Sequence, residues 1–216
     1  MTGWQWFLAL GPLSVYLMLM GFLNLIRRPV LLTGMQDRIL LGLAILGLIV
    51  VGPVDLFLPL SVYAAYGSAV WLIALVLLVL VLGLGVLTAP PKIVILNVPV
   101  HQVRSIISET AVSLDTDSRW AGDCLLMPNL GIQCTLIAWP SWRNITLAAV
   151  GPTQDFQGWK RFGVALSKRL ATVEVRPNPR GIFLVALGGI VFSLTAFGAF
   201  RDPRVVADLL SRLWPL

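Results

Sequence analysis

Of the 216 residues, 57% are hydrophobic and only 12% charged, about half the charged share of a soluble domain, so an aqueous fold alone is excluded and lipid must cover part of the apolar surface. The formal net charge of +6 reads as the Lys and Arg that orient membrane proteins, not as a nucleic-acid surface, for which no basic and aromatic module pattern is present. Two cysteines, Cys124 and Cys134, and a single histidine, His101, match no disulfide framework, zinc spacing or haem motif, so no metal and no cofactor is expected.

Residues 4–26 (WQWFLALGPLSVYLMLMGFLNLI) are long enough to cross a hydrocarbon core of about 30 Å. No Lys or Arg precedes them and Arg27-Arg28-Pro29 follows, so they read as a retained span and not as a signal peptide. Trp4 and Trp6 suit an interfacial belt at the far end. A second apolar run over 39–60 contains Pro53, Asp55 and Pro59 in its last third. After a tight connection at 61–67, the uncharged run 68–89 is the clearest span, and Pro90-Pro91 stop it.

Polarity changes at Lys92, and 92–180 has the periodicities of an α+β domain. Lys92 to Val98 predicts a strand. Pro99 opens an amphipathic helix with Val100, Val103, Ile107, Ala111 and Leu114 on one stripe. Pro128-Asn129-Leu130-Gly131 separates two strand-like runs, Asp123–Met127 and Ile132–Trp139, and so predicts a hairpin. With Asn129 and Leu130 as a two-residue loop, Leu125 faces Cys134 and Cys124 faces Thr135, which puts the thiols on opposite sheet faces, Cys134 buried and both free. A third run at 144–150 precedes a helix with Phe156, Trp159, Phe162, Leu166 and Leu170 on one face, and a short last strand fits Val173–Arg176. Strand, helix, three strands and helix make a two-layer sandwich, with a ferredoxin-like split βαβ as the nearest architecture.

A linker with Pro177 and Pro179 leads to a fourth span at 181–200, in which Gly188, Gly189, Ser193 and Ala196 either admit another helix closely or reflect the ordinary glycine content of membrane helices. Residues 201–216 predict an amphipathic helix that lies on the membrane or docks on a partner. The expected fold is therefore a bundle of four transmembrane helices, three within residues 1–91 and one at 181–200, with an inserted soluble domain at 92–180.

Arg27, Arg28 and Arg38 make loop 27–38 the cytoplasmic one, which puts 92–180 inside and both termini outside. The arginines of the tail pull the other way. Asp55 is the one carboxylate inside an apolar run, a site for ion or proton handling or else an interfacial turn. Asp115, Asp117 and Asp123 lack the glycine and glutamate of an EF-hand and read as a solvated loop. Ser105, Ser108 and Ser113 near His101 lack a nucleophile elbow. Lys160, Arg161, Lys168 and Arg169 either bind anionic head groups or form a solvated face. Trp139 and Trp142 flank Pro140 as anchors for protein or lipid, or pack under the sheet.

Without a catalytic constellation, the function expected is that of an accessory, assembly or scaffold subunit whose soluble domain contacts a protein partner or the membrane surface. Membrane lipids and a protein partner or second copy are the expected partners, and nucleic acid is not. The alternative is a small oligomeric transporter or channel with Asp55 in its path.

Overall fold

The computed structural model describes residues 3–54, 69–152 and 154–201. Asp55, Pro59, the connection at 61–67 and the tail at 202–216 lie outside the described residues. The chain divides into two compact units, one built from 1–20, 39–87 and 183–216, the other from 21–38 and 88–182.

Four long apolar helices are described: α1 (Gly3–Leu25), α2 (Gly34–Ile49, continued by a π-helical turn Val50–Val54), α3 (Ala69–Leu87) and, after the soluble elements, α6 (Arg180–Phe200). Three segments, Gly3–Leu25, Gly34–Gly52 and Arg180–Phe200, are long and apolar enough to cross a membrane, and α3 adds the shorter apolar stretch Val76–Gly85. In the first unit these helices meet at small residues. Pro12 lies inside α1, and proline has no N–H to give the carbonyl four residues back. That carbonyl belongs to Leu8, and α2 approaches it there: a Cβ on Gly47 would overlap the Leu8 oxygen. Phe7 of α1 meets Phe192 of α6 edge to face, 5.8 Å between centroids.

The second unit holds one antiparallel sheet of six strands: β1 (Val30–Thr33), β2 (Lys92–Leu96), β3 (Arg119–Ala121), β4 (Cys124–Met127), β5 (Ile132–Trp139) and β6 (Asn144–Ala149), in the order β1-β2-β6-β5-β4-β3. Helices α4 (Val100–Leu114) and α5 (Phe156–Leu170) pack on each other. Val103, Ile107 and Ala111 of α4, and Trp159, Phe162, Leu166 and Leu170 of α5, join Ile93, Ile95, Leu125, Met127, Ile132, Cys134, Leu136, Ile145 and Leu147 in one core. Because side chains alternate along a strand, Gln133, Thr135, Ile137 and Trp139 of β5 point to the other face.

This is an α+β sheet and helix arrangement, but four details correct the expectation. The ferredoxin-like order is not observed: a split βαβ inserts one strand between the two that a helix joins, whereas β6, β5 and β4 all lie between β2 and β3. Two strands were missed, β3 after α4 and β1 within the loop expected at 27–38; β1 pairs Val30 with Leu96 and Thr33 with Ile93. The second apolar helix begins at Gly34, not at residue 39, so that Asp37 and Arg38 fall in its first turns. Residues 173–176 form no strand; the Val175 amide instead donates to the Arg27 carbonyl, 3.0 Å.

The hairpin follows its expected register, with Leu125 opposite Cys134 and Cys124 opposite Thr135. Gly131 closes the turn at φ +61°, and its amide donates to the Pro128 carbonyl at 3.1 Å. This is left-handed backbone that glycine adopts without Cβ strain. Cys134 is buried, Cys124 is half-buried, and both are free.

Candidate functional site

The polar groups of α4 are largely committed to structure. The hydroxyls of Ser105, Ser108 and Ser113 donate to the carbonyls of Gln102, Arg104 and Thr110 at 2.8 to 2.9 Å. Ser108 Oγ also accepts from Trp120 Nε1, 2.9 Å, and the Arg104 guanidinium lies 4.8 Å over the Trp120 ring while bonding the Gly122 carbonyl. His101 is exposed in the first turn of α4. These contacts fasten β3 to α4.

Asp115 is not in a solvated loop, a correction to the sequence reading. It is 2% exposed, and its carboxylate accepts from the Asp117 amide at 3.0 Å and from the backbone and side-chain amides of Asn129, both at 2.8 Å. Asp117 takes a further bond from the Asn129 side chain. Carboxylate oxygens engaged by N–H donors secure the hairpin turn to the end of α4. Asp123 stands apart from them, exposed and paired with Arg104.

Sequence reasoning also missed Gln154. Its amide nitrogen donates to the Gln133 and Val150 carbonyls, and its oxygen accepts from the indole nitrogen of Trp159, 2.9 Å. Trp159 is thus a satisfied core residue. On α5, Lys160, Arg161 and Lys168 are exposed, and Arg169 reaches Glu109 of α4 at 3.1 Å. A shallow groove between the two helices, lined by Ser108, Glu109, Val112, Ser113 and Arg169, encloses about 470 Å³.

The structure does not bring the basic side chains of α5 together with Trp139 and Trp142. Trp139 lies on the sheet face opposite the helices, directly across from Asn144. It is 62% exposed, Trp142 39% and Ile137 43%. Between the two tryptophans the chain makes a 3-10 turn, Pro140–Trp142, that ends in Arg143 at φ +51°.

Around this turn several segments converge. The Val98 amide donates to the Arg143 carbonyl at 3.1 Å, Arg143 Nη1 to the Arg176 carbonyl at 2.7 Å, and Arg180 Nη1 to the Ser141 carbonyl. Asn97, buried and also left-handed at φ +65°, gives its side-chain amide to the Ile26 carbonyl. The amide oxygens of Asn97 and Asn144 are buried with no hydrogen-bond partner among the described residues, an arrangement that costs about 1 to 3 kcal/mol for each oxygen. Compared with protein-family models, curated proteins and solved structures, the chain matches none. The convergence of Arg143, Arg176 and Arg180 on this corner escaped the sequence reading, which used Arg176 and Arg180 only for orientation, because these residues meet through the fold; the one local signal was the turn sequence Pro140-Ser141-Trp142-Arg143.

Proposed function

We propose that the protein is a non-catalytic, four-span membrane subunit, an accessory or scaffold of a larger assembly, whose α+β domain rests on the membrane surface at the Trp139–Trp142 end and holds a protein partner. The observation that carries this reading is the exposed Ile137, Trp139 and Trp142 beside arginines. Such a surface binds by adhesion, since tryptophan is enriched in interfacial belts and, with arginine, in binding hot spots.

The four-span count is supported by strand pairing. β1 belongs to the chain before α2, and β2 follows α3; because they are hydrogen-bonded neighbours, both must lie on one side of a bilayer. An even number of crossings therefore separates residue 33 from residue 92. If α2 crosses, α3 must cross back, and its 19 residues from Ala69 to Leu87 carry no charge. The same reasoning applies to α1 and α6, whose sheet-side ends are tied by the Asn178 amide donating to the Asn24 carbonyl, 2.9 Å. The cationic residues 27, 28 and 38 argue for the cytoplasmic side as the side of the domain.

The test is purification of the tagged full chain in mild detergent, with mass spectrometry of what accompanies it and flux measurements in proteoliposomes. A stoichiometric protein partner and no flux is the expected outcome. Flux abolished by Asp55→Asn would replace this reading with the transporter.

A further inference from the structure

We propose that Arg27, Arg28, Arg143, Arg176 and Arg180 form a binding site for the phosphate of an anionic phospholipid. The proposal rests on the reading of α1 and α6 as membrane spans. These five residues come from three distant parts of the chain: the Val175 and Val98 amides donate to the Arg27 and Arg143 carbonyls, the Arg143 and Arg180 guanidinium groups donate to the Arg176 and Ser141 carbonyls, and Arg28 follows Arg27 in sequence. Arg27, Arg28, Arg176 and Arg180 are exposed and Arg143 is half-buried. Among the described residues none of the five is paired with a carboxylate, and Glu174 is the only acidic residue on segments 24–28, 97–98, 139–144 and 174–180. The repulsion this leaves is relieved by an anion.

Two features select a lipid phosphate over a free one. Arg27 follows the last residue of α1 by two positions and Arg180 is the first residue of α6, so with about 3.8 Å between successive Cα atoms both stand at the level where a span leaves hydrocarbon. Head-group phosphates occupy that level. Beside them, Ile137, Trp139 and Trp142 present apolar surface that a free anion has no use for, whereas tryptophan at head-group depth is the ordinary membrane anchor. A guanidinium carries five N–H donors and binds phosphate through two of them at once. Arg143 and Arg180 each give one nitrogen to a carbonyl, which fixes the planes of their guanidinium groups while leaving further donors.

The full chain, purified in mild detergent, is titrated with phosphatidylglycerol, with phosphatidylcholine and with inorganic phosphate, and thermal unfolding is followed. Phosphatidylglycerol raises the unfolding temperature saturably and the other two do not. Arg28→Gln/Arg176→Gln removes two side chains that are exposed, so the fold is kept, and weakens the half-saturating phosphatidylglycerol concentration by about fivefold for each arginine; Lys160→Gln/Lys168→Gln on α5 leaves it unchanged. Equal response to both lipids, an unchanged Arg28/Arg176 variant, or the same shift from inorganic phosphate overturns the site. Alkaline carbonate extraction separates the two failures: release of the wild type from membranes overturns the spans and the site with them, whereas retained protein without lipid preference overturns the site alone.

Discussion

The Asp115 carboxylate receives both the main-chain and the side-chain N–H of Asn129, so one buried acid at the end of α4 fixes the turn between β4 and β5. Bonds to an ionised acceptor exceed neutral ones in strength. Asp115→Ala is expected to destabilise the domain by roughly 2 to 3 kcal/mol, and Asp115→Asn by less, because the amide keeps one acceptor but turns an N–H toward Asn129. Chemical denaturation followed by tryptophan fluorescence measures both. Equal stability of wild type and Asp115→Ala would show the turn to be held by the hairpin alone.

The two cysteines are expected to react differently. Burial, with a smaller contribution from the charge of Cys124, pushes the Cys134 thiol up to about 12, against about 8.5 for an unfolded thiol. The folded state thus retains a proton that the unfolded chain gives up between these values. The stability from this group is complete below pH 8.5 and falls as pH rises toward 12. At neutral pH one thiol, Cys124, labels in the native protein and two label after denaturation, read by intact mass. A mass two hydrogens short without reductant would contradict the pairing of Cys124 with Thr135 and of Leu125 with Cys134.

The hairpin was legible because an alternating strand and a Pro-Asn-Leu-Gly turn leave few registers that keep Ile132, Cys134 and Leu136 on the core side. The stripes of α4 and α5 were legible for the same reason, except that Phe156 and Leu114 at the ends are exposed, 71% and 38%. β1 was not legible. Val30–Thr33 is too short to show a period, and its strand conformation comes from β2, whose paired residues lie sixty or more positions away. The role of Asp115 was hidden likewise, since three aspartates near one another look the same in sequence whether solvated or bonded to a distant asparagine. Trp139 ends β5 on the sheet face away from the helices, whereas Trp159 packs from α5 into the core beside Gln154, and composition records neither placement.

The pairing of β1 with β2 also predicts labelling. In a background with Cys124→Ser and Cys134→Ala, single cysteines in place of Thr2 and Arg201 are expected to react from one side of the membrane. A cysteine in place of Thr116, in the exposed turn after α4, reacts from the other side only. Labelling of positions 2 and 116 from the same side would remove the crossing by α1 and with it the four-span reading.

Neighbouring glycines of α6 are expected to behave in opposite ways. A Cβ on Gly188 would lie 2.7 Å from the Ser14 carbonyl oxygen, 2.8 Å from Met18 Cγ and 3.0 Å from the Met18 amide of α1. The methionine side chain can swing aside, but the two backbone atoms cannot move without separating the helices. Gly189 points elsewhere, with nothing among the described residues within 4 Å of its place for a Cβ. Close helix approach through small residues is the main source of packing in a bilayer, where burial of apolar surface gives no drive between helices. Gly188→Ala should therefore cost about 1 to 3 kcal/mol, the usual penalty of overpacking, and Gly189→Ala should fall within about 0.5 kcal/mol of wild type. Thermal unfolding of both variants in the same detergent gives the comparison. A loss at Gly189 equal to that at Gly188 would mean that the approach of α6 to α1 is not what the glycine at 188 provides.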